Sequence, residues 1–240
     1  RQRWTASAAW RIEELLTRHG NIMDVYDPSK RIGLVLDEWG TWFEVEPGTN
    51  PGFLYQQNTM RDALVASVHF DSFHRHADRL VMANIAQTVN VLQAVLLTDG
   101  DTLIKTPTYH VFEMNRAHHD ADSLAVAWIG EPVPTRQVGR TALPLVSGSA
   151  SVKDGVVLVS LSNLDLDEAR TVRLDLRGRA VDAVEGRILT AGAIADHNTA
   201  QAPDAVTPAE FAVGAPVDGI LEVELPPHSF ATVSLTLAAA

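Results

Sequence analysis

Cysteine is absent from the 240 residues, which excludes disulfides and thiolate metal centres and, fitting a reducing compartment, gives a cytoplasmic location as the expectation. Basic residues are scarce: 19 Lys and Arg stand against 30 Asp and Glu, a formal net charge of −11. With no cluster of cations to follow a phosphate backbone, no nucleic acid is expected as a partner. Long apolar runs are missing too. None approaches the ~20 residues that span a bilayer, and no secretory apolar region follows Arg1-Gln2-Arg3-Trp4, so no membrane is expected either. A glycine-rich phosphate loop, a nucleophile-elbow serine and a fixed-period repeat are all lacking. The chain does not open on Met, which carries the expectation of a portion preceding Arg1.

What is present is a hydrophobic content of 46%, enough for real cores. Trp10, Ile12, Leu15 and Leu16 have helical spacing, and His19-Gly20 reads as the helix end. Asp27-Pro28 predicts a turn, and Ile32-Gly33-Leu34-Val35-Leu36 reads as a strand covered on both faces, as in parallel sheets. Residues 53–75 read as a long helix, Arg79 to Asn84 as a second buried strand, and Val89 to Gln93 and Thr108 to Arg116 as further helices. Strand alternating with helix predicts a parallel α/β layer.

After about residue 120 the texture becomes all-β. Leu124 to Ile129, Val156 to Leu161 and Phe230 to Leu237 read as strands, with Asp154-Gly155 as a hairpin turn and Arg177-Gly178 and Glu185-Gly186 as punctuation. A division into 1–118 and 119–240 follows. A closed eight-stranded α/β barrel needs roughly 250 residues, more than the first part contains. Two parallel strands have open edges, so the rest of their sheet is expected upstream or in another chain.

The chemistry concentrates where the first strand ends, at Asp37-Glu38-Trp39, because reactive residues of parallel barrels sit at C-terminal strand ends. In a regular strand Asp37 and Glu38 point to opposite faces. Glu38, nearer the mouth and longer, is the candidate reactive group, the alternative being that both acids cap the strand or pair with cations. Glu44 and Glu46 read as solvated. Trp39, Trp42 and Phe43 either pack the C–H face of a sugar or pack the rim. Asn84 and Gln87 place amides at the neighbouring mouth, to hold hydroxyl groups or to tie loops. His74-Arg75-His76 and His118-His119 lack a third ligand at metal-site spacing, so no metal is expected.

Two long stretches, Arg31 to Trp42 and Glu46 to Gln57, together with Val81 to Gln93 and Thr106 to Phe112, resemble the intracellular α-L-arabinofuranosidases of glycoside hydrolase family fifty-one. The resemblance implies the C-terminal part of a (β/α)₈ TIM barrel followed by an antiparallel β-sandwich, and retaining hydrolysis of terminal α-L-arabinofuranosyl groups. Glu38 matches that family's nucleophile, Trp42 an aromatic of the sugar subsite, and Gln87 an amide that contacts arabinose. The family's acid/base glutamate follows an Asn on an earlier strand and has no counterpart here. The implied partners are an arabinofuranosyl oligosaccharide, the N-terminal barrel portion of the same protein and further copies in a homo-oligomer, with no cofactor. Two alternatives stand beside this: the same fold acting on xylosides or β-glucans, and a non-catalytic carbohydrate-binding or assembly fragment.

Overall fold

A computed structural model describes residues 2–129, 133–138 and 141–239. Its first element, helix α1 (Gln2–Tyr26), runs through Gly20 instead of stopping there. An interior glycine costs about 1 kcal/mol relative to alanine, but the last turn is anchored from outside. The guanidinium of Arg79, only 4% exposed, pairs with Asp24 and with Asp27 and donates to the Asp27 and Ile32 carbonyls. Those contacts, remote in sequence, carry the helix to the Asp27-Pro28 turn.

Strand β1 (Leu34–Trp39), helix α2 (Met60–Arg75), strand β2 (Leu80–Ile85), strands β3 (Leu96–Asp99) and β4 (Thr102–Lys105), and helix α3 (Pro107–Asn115) follow. β1 and β2 pair in parallel with α2 as their crossover, the arrangement predicted from the apolar runs. Helix α2 starts at Met60 and not at residue 53, because a capping box fixes its start: the Thr59 hydroxyl accepts from Arg61 N–H, and the Asp62 carboxylate accepts from Thr59 N–H at 2.9 Å. Thr106 caps α3 in front of Pro107. The expected helix at Val89 to Gln93 is a loop. Its five-residue pattern is below nucleating length, and its backbone N–H groups go elsewhere, Leu92 to the Leu54 carbonyl and Gln93 to that of Ala86.

The remaining strands are β5 (Asp122–Leu124), β6 (Thr135–Val138), β7 (Thr141–Pro144), β8 (Val146–Lys153), β9 (Val156–Asn163), β10 (Arg170–Asp175), β11 (Val181–Leu189), β12 (Ala209–Glu210), β13 (Ile220–Leu225) and β14 (Ser229–Leu237). Six form one antiparallel sheet in the order β12-β11-β14-β9-β8-β5. The antiparallel pair β10–β13 covers one face, closing a core that includes Val159, Leu161, Val172, Leu221, Val223 and Val233. The Asp154-Gly155 turn has φ of 50° and 79°, the left-handed pair that a two-residue hairpin requires. Strand pairing at the β5 edge ends at Leu124, leaving 125–129 without a ladder. Glu185-Gly186 does not break a strand but lies inside β11. A Cβ on Gly186 would sit 2.4 Å from the Phe211 carbonyl oxygen, so the glycine there permits a close backbone approach.

The other face of the six-stranded sheet rests on α2 and α3 through a buried polar seam. Ser147 and Ser149 donate to the Asp71 carboxylate at 2.6 and 2.8 Å. His74 Nδ1 lies 2.9 Å from Ser149 Oγ, and the His74 ring is 4.2 Å from that of His118. His118 bridges Ser151 and Ser160, and Ser160 donates to Asn115. Burial lowers His74 to about 4 and His118 to about 3, helped for His74 by Arg75, and lowers His69 on the same helix to about 4. Burial also raises Asp71 to about 6.

Between pH 6.5 and 5 the unfolded chain therefore binds protons on these imidazoles that the folded chain refuses, so folding stability falls as pH falls. Asp71 opposes this, since below about pH 6 the folded chain protonates it while the unfolded chain waits for ordinary carboxylate values. Three imidazoles outweigh one carboxyl. Each uncompensated proton is worth at most about 1.4 kcal/mol per pH unit, and Tm is expected to be several degrees lower at pH 5 than at pH 7. His118→Asn should flatten that slope, and a Tm that is flat across the range in the parent protein would disprove the role of the seam.

Candidate active site

Leu34 and Leu36 point from β1 into the core beneath the helices. Regular alternation would send Trp39 the other way, yet Trp39 joins the same core at 6% exposed. Its indole stacks on His69 at 4.9 Å and on Phe112 at 5.9 Å, with Phe70 and Phe73 edge-on. The β1–β2 register slips between Leu36 and Trp39, the signature of a bulge that re-aims side chains at a strand end. Alternation therefore does not separate Asp37 from Glu38 as a regular strand would. Both are exposed at the strand end, and no side-chain hydrogen bond engages Glu38 among the described residues. Trp39 takes the packing role of its two alternatives.

The two strand mouths are tied together. Ala86 N–H donates to the Trp39 carbonyl at 2.9 Å, a link one residue from Glu38 and one residue from Gln87. Gln87 is exposed, and Trp42 is 67% exposed. Trp42 stands in the wall of a cleft of about 880 Å³ with Phe43, Glu44, Gln57, Arg61 and His69. Glu38 and Gln87 lie outside that wall. Glu44 is exposed as expected, whereas Glu46 is half-buried and accepts from Gln57 N–H at 2.9 Å. Arg61 stacks over Phe43 at 4.1 Å and pairs with Asp62 at 2.9 Å. His69 is neutral with its proton on Nδ1, because that nitrogen faces the Val65 carbonyl at 2.8 Å and must donate.

Beneath the exposed side chains is a buried polar network that sequence reasoning missed. The Thr41 hydroxyl donates to Asp62 at 2.9 Å and accepts from Gln56 Nε2 at 2.9 Å. Gln56 Oε1 accepts from Phe43 N–H at 2.8 Å. The Gln93 side chain, with no exposed surface, accepts from Thr41 N–H at 2.9 Å and donates to the Asp62 carbonyl at 2.8 Å. One signal was available: Gln93 is a lone amide inside the apolar run Val91 to Leu96, and buried amides have assigned partners. The histidine pairs form no ligand set. His74 and His118 bond serines, and among the described residues no group of three His, Asp or Glu is arranged to hold a metal ion.

Comparison with known proteins fixes the lineage. Residues 37–229 match the family model of the alpha-L-arabinofuranosidase C-terminal domain. The chain belongs to this family. The arabinofuranosidase-family chain is 46% identical, over 233 residues and 97% of its length, to an intracellular exo-alpha-L-arabinofuranosidase of Bacteroides ovatus. It superposes with a TM-score of 0.89 and 50% identity on the crystal structure of a GH51 arabinofuranosidase from Xanthomonas axonopodis pv. citri, over 95% of its residues. A Thermotoga maritima alpha-L-arabinofuranosidase in complex with arabinose shares the fold at 19% identity and a TM-score of 0.77. The chain spans 45% of the Bacteroides protein and 46% of the Xanthomonas one. Its fold is the C-terminal part of a (β/α)₈ barrel followed by an antiparallel β-sandwich. Among the described residues no helix is long and apolar enough to cross a membrane.

Proposed function

We propose that this chain carries the nucleophile of a retaining α-L-arabinofuranosidase, with Glu38 as the attacking carboxylate and Trp42 and Gln87 as sugar contacts. Residues 1–118 then furnish the last strands of the barrel and 119–240 the sandwich. The observation that carries the reading is the strand end itself: an unengaged Glu38 beside the mouth that bears Gln87, in a chain of arabinofuranosidase lineage. Further strands complete the sheet. Val35, Val81 and Met82 are 46%, 68% and 54% exposed, and a two-stranded parallel sheet with open edges is not a stable end state. Those strands belong to the N-terminal barrel portion and bring the acid/base carboxyl, held about 5–5.5 Å from the nucleophile in retaining enzymes.

In the first step a Glu38 oxygen bonds to the anomeric carbon while the bond to the leaving oxygen breaks and the acid protonates that oxygen. In the second, water deprotonated by the same partner attacks the anomeric carbon, the ester to Glu38 breaks, and arabinose leaves with retained configuration. The substrate is an arabinofuranosyl oligosaccharide, and the sequence of steps uses no cofactor. A homo-oligomer in the cytoplasm completes the reading.

The test is paired kinetics of the complete enzyme on an aryl α-L-arabinofuranoside and an aryl β-D-xyloside, with proton NMR of the first sugar released. The arabinoside should be preferred roughly tenfold or more in kcat/KM, and the nascent arabinose should be the α anomer. Equal rates, or a β product, would overturn the proposal.

A further inference from the structure

We infer that Gln93 is a positioning residue that locks the two strand mouths of the proposed arabinofuranosidase site in register. This rests on the assignment of Glu38, Trp42 and Gln87 to that site. Gln93 makes no hydrogen bond to any of the three. Its side chain reaches the loop after β1 by accepting from Thr41 N–H, immediately before Trp42 and three residues after Glu38. Its Nε2 donates to the Asp62 carbonyl in the first turn of α2 and to the Thr108 hydroxyl, at 3.2 Å, in the first turn of α3. Its own backbone N–H donates to the Ala86 carbonyl at 3.0 Å, immediately before Gln87. A single residue therefore fixes the β1 loop and the β2 loop to each other and to two capped helix starts.

The orientation of the amide is forced. Thr41 offers only a donor and Asp62 only an acceptor, so the oxygen faces Thr41 and the nitrogen faces Asp62. Gly40, with φ of 136°, brings the loop to Gln93: a Cβ there would lie 3.3 Å from both Gln93 Oε1 and the Ala86 oxygen. No hydrophobic residue of the same size reproduces this fork. Removing it strands the buried Thr41 N–H and takes from the Asp62 carbonyl the bond it accepts from Gln93. The loops bearing Trp42 and Gln87 then lose their common reference, and displacements near 1 Å cost roughly 10²-fold in rate.

The experiment compares Gln93→Met, Gln93→Glu and a control, Ser162→Ala, in the complete enzyme on an aryl arabinofuranoside. Ser162 is equally buried and donates to Ser67 at 2.8 Å in the α2 seam, away from the strand mouths. A defect of folding alone lowers the active fraction and leaves KM unchanged, and this is what Ser162→Ala should give. Gln93→Met should raise KM about tenfold or more and lower kcat as well. In Gln93→Glu the new carboxyl can replace the amide only when protonated, its carbonyl accepting from Thr41 and its O–H donating to Asp62. The ratio of its KM to that of the parent should therefore fall as pH falls.

An unchanged KM in Gln93→Met overturns the inference, and if that variant does not accumulate, a pH-independent ratio in Gln93→Glu does so alone. Glu38→Ala is run alongside. Full activity in that variant overturns the site assignment itself. Inactivity that azide restores, together with unchanged KM in both Gln93 variants, overturns the positioning role only.

Discussion

Glu38→Ala in the complete enzyme is expected to lower turnover of an aryl α-L-arabinofuranoside by roughly 10³-fold or more, because it removes the carboxylate proposed to form the covalent ester. The substitution leaves the fold untouched. Glu38 is exposed at the end of β1, and no side-chain hydrogen bond engages it among the described residues, so Tm should stay within about 1 °C of the parent. The space vacated by the carboxylate admits a small anion. Added azide should attack the anomeric carbon from that face, with the protonated leaving group departing, and yield the arabinosyl azide of inverted configuration. Substantial hydrolysis by Glu38→Ala without azide would remove Glu38 from the nucleophile role. Loss of activity accompanied by a large fall in Tm would instead return it to a structural one.

The neighbouring residue has the opposite profile. Trp39→Ala should cost about 3–5 kcal/mol, because the indole is 6% exposed and ringed by His69, Phe70, Phe73 and Phe112. For a protein of this size that is a fall in Tm of roughly 6–20 °C, measured by calorimetry at pH 7. Trp39→Phe keeps a ring in the cluster and should recover much of the loss. Activity falls with it, since the slip that seats Trp39 in the core is the same one that leaves Glu38 exposed. Normal Tm with weakened sugar binding in Trp39→Ala would contradict this and make the indole a ligand contact.

The contrast between these two adjacent residues marks how far the chain could be read directly. Apolar runs and helical spacing located β1, α2, β2, α3, β9 and β14, and a long matching context selected Glu38, Trp42 and Gln87. Periodicity reports local burial, however, and local burial is blind to contacts made far along the chain. It ended α1 at Gly20, because the Arg79 guanidinium that anchors Asp24 and Asp27 lies more than fifty residues away. It turned Val89 to Gln93 into a helix, because the Leu54 and Ala86 carbonyls that claim its backbone donors were not in view.

The same limit hid the polar network and the seam. Alternating serines in β8 and β9 resemble a solvent-facing edge of a half-buried sheet, yet Ser147, Ser149, Ser151, Ser160 and Ser162 are all buried. Small hydroxyls let α2 and α3 approach closely while satisfying Asp71, His74 and His118.

By itself, then, the sequence determined the alternation of β1, α2, β2 and α3, the change from parallel α/β to antiparallel β near residue 120, and the strand end proposed to carry the chemistry. Those follow from periods of two and 3.6 residues and from turn chemistry, which a linear chain displays in full. Only the tertiary structure decided that Trp39 faces the core, that Asp37 and Glu38 escape alternation, and that Gln93 joins two loops. The reason is physical. A bulge, a buried amide and a serine-lined seam each depend on which donors and acceptors meet across the fold, and those meetings exist only once the chain has packed.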